Sequence, residues 1–483
     1  MIRQYICALS LVFLFCSVIM AQKYIPVDTT EYPHVGKHLC ATEAPSYEQN
    51  KIDLGNFTPR NKNAGYTQLP MHVHIVQQDN GTGGVSLDVI NRELANLNHA
   101  FEPEQIEWYI ATINYINNTN LYNFDTSEED ALANGNQLNT GVNVFWVNSI
   151  SFGSGGACGY AYFPFNSTTS LRILMDKDCA GGVWWDTFVH EFGHHLNLYH
   201  THEGTSSGNT HPDAEHVPRT GSQSNCGSTG DLLCDTEADP TGPTSGCVYN
   251  GGGTDIYNNP YTPDEDNIMS YYADACGGAL FTPGQYTRIN TGLSARLGHS
   301  AYDIDGAPFA SVTDPSGLCA STFLASITLS WIDNSNNETG FVLERSMDGV
   351  NFIAMPYLGV GPNTTTVTDS YNINPNTTYY YREKASNDNP DHYSNIISIT
   401  TGAALDNFTC ATAASITCGT YNSPGPSQGN GATQSDATHA VWYEYIPSGT
   451  GTLDISSCLG GTDTRVWVYE GSCANLTLVA SND

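Results

Sequence analysis

The chain has 483 residues, with 16 basic against 49 acidic side chains, a formal net charge of −33 and no Lys/Arg cluster. This balance excludes partners that need a basic face, nucleic acid and anionic lipid among them, and it fits solubility outside a cell. The length is too great for one ordinary domain and points to roughly three.

Residues 1–21 carry Arg3, an apolar run from Ile6 to Met20 and a small Ala21 before polar Gln22, the layout of a secretory signal peptide. The run is short for a membrane span, no later stretch is long and apolar enough to cross a bilayer, and Phe15 before Cys16 argues against a lipid anchor. Of 14 cysteines, Cys7 and Cys16 leave with this leader. In an exported chain the others are expected in disulfides. Neighbours suggest Cys158 with Cys179, Cys226 with Cys234, Cys247 with Cys276, Cys410 with Cys418 and Cys458 with Cys473, leaving Cys40 and Cys319 over.

Residues 22–62 are polar and irregular, and read as a propeptide ending near Arg60 and Lys62. From Leu69, LPMHVHIV alternates like a strand, and SLDVINRELANLNHAF follows with helical spacing and Ser86 as N-cap. QIEWYIATINYI, GVNVFWVNSI, GYAYFPF and LRILMD read as further strands, the third as a sheet edge to which an extended peptide can add. In VWWDTFVHEFGHHLNL, Val183, Phe188, Phe192 and Leu196 approximate one helical face. Strands and helices in this order describe an α/β layer with a mixed sheet over residues 63–302. Residues 201–263 are a long Gly-, Ser-, Asp- and Pro-rich loop that needs pinning, by disulfides for instance. FTPGQYTRINTGLSARLG restores helical spacing and closes the unit.

Beyond DIDGAP the texture is all strands and turns. SITLSWID, GFVLERSMDG, TTTVTDS and TTYYYREKAS are spaced like the strands of an all-β sandwich over 306–402. This segment resembles a fibronectin type III module, with Trp331 as core aromatic and Tyr379 to Tyr381 on a late strand. TLDIS, TRVWVYEG and LTLVA suggest a second β-sandwich module over 405–483, truncated after a strand.

The chemistry concentrates in HEFGHHLNLYHTH. His190 and His194, four apart on a helix, share one face and can hold one cation. Glu191 lies about 100° round, where its carboxylate can take a proton from an attacking water. A catalytic zinc needs a third ligand, and the candidates are His195, His200 and His202. His195 points away from His194. His200 reaches the metal only if the chain turns sharply after the helix, through a residue comfortable at positive φ; Asn197 stands at that place.

HExxHxxNxxH resembles the extended zinc motif of the metzincin peptidases, and the longer stretch resembles their pappalysin-like branch, which includes the cytophagalysins. NIMSYYADACGGALFTPGQYTRI is similar to that branch's Met-turn and following helix, and GDLLCDTEADPTGPTSGC to its preceding loop. The resemblance covers roughly 69–300. It implies an endopeptidase cleaving extracellular proteins or peptides, with His200 as third zinc ligand, Glu191 as general base, Met269 as an apolar floor and Tyr271 as a hydroxyl near the reaction centre. Asn197 departs from the family's usual Gly. Cys40 is a candidate thiol latch on the zinc, with a disulfide to Cys319 or an idle thiol as alternatives. Calcium is a further candidate cofactor, through Asp231, Asp235 and Asp239. Two other classes remain: a surface adhesin or glycan-binding protein with a vestigial peptidase domain, and a zinc hydrolase acting on a non-peptide bond. The C-terminal β-domains are candidates for extracellular protein or glycan contacts, including attachment at a cell surface.

Overall fold

The computed structural model describes residues 4–9, 37–54, 57–60, 65–153, 155–180, 186–240, 249–272, 281–323, 326–388, 392–402, 413–416, 440–446, 465–473 and 475–482. The expected leader contributes strand β1 (Gln4–Leu9), which pairs antiparallel with two C-terminal segments, Ala440–Tyr445 and Arg465–Ser472. Only residues 6–9 of the apolar run lie in this strand; residues 10–20 lie outside the described ones.

The polar stretch expected to be irregular holds strand β2 (Lys37–Cys40) and helix α1 (Tyr47–Leu54). There follow β3 (Thr67–Gln77), α2 (Leu87–Phe101), β4 (Ile106–Asn117), a short α3 (Thr119–Tyr122), β5 (Asn123–Asp125), α4 (Glu129–Ala133), β6 (Val142–Val147), β7 (Ser149–Phe152), β8 (Gly155–Ala161) and β9 (Arg172–Asp176). The sheet runs β4-β3-β6-β9-β8-β7-β5. It is mixed as expected: β3 is parallel to β4 and β6, whereas β8 is antiparallel to β9 and β7. GVNVFWVNSI is two strands rather than one, and the expected edge strand begins upstream of GYAYFPF and stops at Ala161. On the edge of β8 away from β7 and β9 lies β2, parallel, with Lys37 opposite Gly156, His38 opposite Ala157 and Cys40 opposite Gly159. The disulfide Cys158–Cys179 ties β8 to the segment after β9.

Ser86 caps α2 as the sequence predicts, its hydroxyl accepting from the Val89 amide at 3.3 Å. Ile90, Leu94, Leu97 and Phe101 then bury one helical face against the sheet. Helix α5 (Asp186–His195) enters the same core through Phe188 and Phe192, whose rings meet Trp146 at 5.4 Å and Trp108 at 4.6 Å. Val183 lies outside the described residues. Each such aromatic contributes about 1.5–3 kcal/mol through burial, enough to hold the helix rigidly on the sheet. Within 201–263 the described residues contain one short 3-10 turn, Thr205–Ser207, and are pinned by the disulfide Cys226–Cys234. Helix α6 (Pro283–Gly298) starts in a capping box between Thr282 and Gln285.

A sandwich follows, with one sheet of β10 (Ser316–Phe323), β11 (Ser326–Ile332) and β14 (Thr366–Asp369), and one of β13 (Ile353–Val360), β12 (Phe341–Ser346), β15 (Thr378–Ala385) and β16 (Ile397–Thr400). Trp331, Tyr379 and Tyr381 lie in its core. It also packs on α2: Val342 and Ala354 join the α/β core. The buried Asn91 amide donates to the Thr339 carbonyl at 2.8 Å and accepts from Ser386, and Lys384 pairs with Glu107. Beyond it, β17 (Ala414–Ile416), β18 (Ala440–Tyr445), β19 (Arg465–Ser472) and β20 (Asn475–Asn482) form a sheet with β1; TLDIS lies outside the described residues. Cys473 is disulfide bonded. Cys458, with Cys247, Cys276, Cys410 and Cys418, lies outside the described residues.

Strand β15 carries one local conflict. Glu383 is fully buried with neither carboxylate oxygen hydrogen bonded, and burial, reinforced by the charge of Asp333, pushes its pKa up to about 9. The folded state thus holds a proton that the unfolded chain releases, so stability is full below the ordinary carboxyl range and falls as pH rises toward 9. Glu383→Gln is expected to flatten this fall, read as unfolding midpoints at about pH 5 and about pH 8.5. An unchanged pH dependence in the variant would contradict the assignment.

Candidate metal centre

Helix α5 presents His190 and His194 one turn apart and must then stop. It ends in a Schellman arrangement, with Asn197 at φ 81°, its amide donating to the His194 carbonyl at 2.9 Å and the Leu198 amide to the Gly193 carbonyl at 2.9 Å. Asn in this conformation costs about 1 kcal/mol relative to Gly. The turn reverses the chain and brings the His200 ring within 4.4 Å of His194. The expected geometric role of Asn197 is therefore what the backbone adopts.

The three imidazoles converge in a buried site. His194 Nε2 lies 3.1 Å from His190 Nε2 and 3.0 Å from His200 Nε2. The opposite nitrogens are anchored: His190 Nδ1 donates to the Ile268 carbonyl and His194 Nδ1 to that of Leu198, both at 2.7 Å. A carbonyl can only accept, so both Nδ1 atoms carry the proton and both Nε2 atoms point lone pairs at one another. Such lone pairs repel until a cation lies among them, and a ring fixed through its other nitrogen is how a histidine ligand is oriented. Burial, and then the neighbouring imidazoles, hold His194 and His200 well below the usual histidine range, so they stay neutral, as metal ligation requires.

Cys40 joins them, for its Sγ and one nitrogen of each of the three histidines lie within 4.8 Å of one another. It is a free thiol, and so is the exposed Cys319, so the two do not form a disulfide. Burial, then the Glu191 charge, push the Cys40 thiol well up. Its Sγ lies 3.5 Å from Glu191 Oε2, which also accepts from the Thr42 hydroxyl at 3.0 Å. The Ala161 amide in turn donates to that hydroxyl at 2.8 Å. Thr42 thus ties the N-terminal segment to both Glu191 and β8, and nothing in the local sequence signals this.

The Met269 amide donates to Asn267 Oδ1 at 2.9 Å, and the Asn267 and Gln285 amides pair reciprocally at 3.0 Å. The sulfur of Met269 then packs under Gly193, so closely that a Cβ there would meet it at 2.5 Å. Tyr271 sits beside His200, ring centroids 5.0 Å apart, and its hydroxyl donates to the Cys40 carbonyl at 3.0 Å. His195 is packed rather than solvated, near Trp108 and Phe192. His202 is buried with its ring stacked on His200 at 4.8 Å. The three aspartates expected for calcium are dispersed in their contacts: Asp239 accepts from the Thr201 hydroxyl, Asp235 from the Gly284 amide at the start of α6, and Asp231 from the Leu233 amide. They form no ligand cluster among the described residues.

No family model matches the chain. An extracellular metalloprotease of Pyricularia oryzae is 29% identical over 237 residues, 46% of this chain and 74% of that protein. One of Colletotrichum graminicola is 27% identical, over 53% of this chain and 89% of that protein. One of Neurospora crassa is 30% identical over 224 residues, 43% of this chain and 68% of that protein. The chain belongs to the extracellular metalloproteases. Roughly half of this metalloprotease lies within the matches, and the names of its relatives support secretion and a metal-dependent peptidase. A likeness to the FN5 domain of Drosophila Lar, 18% identical with a TM-score of 0.16 over 20% of this chain and 100% of that one, is too slight to carry an argument. Among the described residues no helix is long and apolar enough to cross a membrane.

The turn that delivers His200 rests on α6 at Gly292, where a Cβ would lie 2.4 Å from the Leu196 carbonyl oxygen and 2.9 Å from Asn197 Cβ. Gly to Ala inside a helix ordinarily stabilises by about 1 kcal/mol. Here Gly292→Ala is expected to destabilise by about 1–3 kcal/mol, since backbone must move. Denaturant unfolding decides the sign, and a gain in stability would show that the turn does not depend on this contact.

Proposed function

We propose that this metalloprotease is a secreted zinc endopeptidase of the metzincin type, in the pappalysin-like branch, made with residues 22–62 as a latency segment. The observation that carries the reading is the meeting of His190, His194 and His200 through their Nε2 atoms beside Glu191 and Cys40. Three imidazoles and one thiol are a zinc donor set, and His190, His194 and His200 are assigned as the protein ligands of the mature enzyme. A zinc ion held there supplies Lewis acidity toward the scissile carbonyl and the attacking water.

The protein's own groups do the rest. Glu191 takes the proton of the attacking water and passes it to the leaving amine. The Tyr271 hydroxyl, engaged with the Cys40 carbonyl in the latent chain, becomes available to donate to the developing oxyanion once the segment leaves. Met269 forms the apolar floor. The edge of β8 aligns an extended substrate by backbone pairing, and β2 occupies that edge until it is removed.

In the latent state Cys40 would hold the zinc together with the three imidazoles, and a bound cation would favour its thiolate. Release is expected by cleavage near Arg60 or Lys62. The Arg60 guanidinium is held by the carbonyls of Glu104, Gln105 and Gly65, while Lys62 lies outside the described residues. The sandwich of β10 to β16 is assigned as fibronectin type III-like, with extracellular protein or glycan contacts as its role. Calcium is not part of the proposal. The adhesin alternative is not favoured, since the relatives are metalloproteases and Glu191 is in place.

Glu191→Gln is expected to leave zinc content unchanged by atomic absorption and to lower casein hydrolysis by about 10²–10⁴-fold. Retained hydrolysis would refute the role of Glu191. Cys40→Ala is expected to give the unprocessed full-length chain measurable, chelator-sensitive hydrolysis, and unchanged latency would remove the thiol from the latch.

A further inference from the structure

The N-terminal segment touches the enzyme at a second place, away from the thiol. Tyr47 and Asn50, three apart and on one face of α1, point at the exit of the active-site helix. The Tyr47 hydroxyl donates to the Gly230 carbonyl at 2.7 Å, and its ring meets Tyr199 edge-on at 5.7 Å. The Tyr199 hydroxyl returns a bond to the Pro45 carbonyl at 3.0 Å.

At the centre of this contact Asn50 is buried and its amide is used at both ends. Nδ2 donates to Asn197 Oδ1 at 2.6 Å, and Oδ1 accepts from Arg288 Nη2 at 3.1 Å. Arg288 also donates through Nε to the Asn197 backbone carbonyl at 2.7 Å, and its guanidinium stands 4.9 Å over the Tyr199 ring. A circuit of three residues, closed through the Asn197 backbone carbonyl, therefore joins α1, the left-handed turn and α6.

A glycine at 197 would make this turn with no steric cost, but it would have no side chain for Asn50 to bind. We propose that Asn197 is a docking residue for the N-terminal segment, so that Asn50, Asn197 and Arg288 form a second lock, independent of the Cys40 thiol. This rests on the reading of residues 22–62 as a latency segment and adds a way in which that segment is held. Breaking the thiol contact alone leaves α1 seated on the turn, and full release needs the amide circuit to open as well.

Hydrogen exchange of residues 47–54 in the full-length chain tests the lock without reference to activity. Asn50→Ala is expected to speed exchange across α1 by about tenfold or more, and Cys40→Ala by less than about threefold. Asn197→Gly, which keeps the turn and removes only the amide, is expected to match Asn50→Ala. In casein hydrolysis by unprocessed protein, Cys40→Ala/Asn50→Ala is expected to exceed Cys40→Ala by about tenfold. Unchanged exchange in Asn50→Ala, or full loosening of α1 by Cys40→Ala alone, would overturn the lock. Loosened α1 with no hydrolysis even after proteolytic removal of residues 22–62 would support the lock and overturn the peptidase reading.

Discussion

The site depends on how the chain leaves α5. A helix places His190 and His194 on one face without help, but no straight continuation brings a third imidazole to the same point. The left-handed residue at Asn197 reverses the direction, two backbone hydrogen bonds close the turn, and His200 arrives with its Nε2 3.0 Å from that of His194. Contacts below the turn help to keep it: Gly292 lets α6 approach, Arg288 holds the Asn197 carbonyl, and the Thr201 amide donates to the Met269 carbonyl.

Around this point electrostatics and burial work in one direction. Imidazoles taken out of water and crowded together stay neutral, which suits them to a cation and makes the group costly without one. The thiol of Cys40 shares the same buried volume and reaches it because β2 is carried there on the edge of β8. The edge proposed to align a substrate is thus covered by the chain itself, and Thr42 engages the Glu191 carboxylate in the same contact. In the proposed zymogen, one short segment blocks strand pairing, the metal position and the base together.

The sandwich is continuous with the α/β unit in packing terms. Val342 and Ala354 lie in the same apolar core as α2, and Asn91 exchanges hydrogen bonds with Thr339 and Ser386 across the junction. A module held through shared core and buried polar bonds is fixed in orientation. The described part of the long loop after His200 is held in a different way, by a disulfide and by aspartates that cap turns and helix ends.

Much was legible beforehand because local rules govern it. The i, i+4 spacing of His190 and His194, the neighbouring Glu191, the need for positive φ at Asn197, the Ser86 cap and the pairing of Cys158 with Cys179 and Cys226 with Cys234 depend on few residues close in sequence. The helical faces followed from hydrophobic periodicity, which registers burial directly, and the mixed sheet from the order of strands and helices. Other features had no local signal. Helix α1 and strand β2 look like polar coil because their stability comes from β8, Tyr199 and Arg288, residues more than a hundred positions away. The separate donors of Asp231, Asp235 and Asp239 were equally hidden, since acidic spacing in a loop does not say which way each carboxylate turns. The sequence alone determined which atoms are chemically able to hold a metal; the tertiary structure decided that Cys40 meets them, that Thr42 meets Glu191 and that Asn50 meets the turn, because only long-range pairing and burial bring a distant polar segment onto the site.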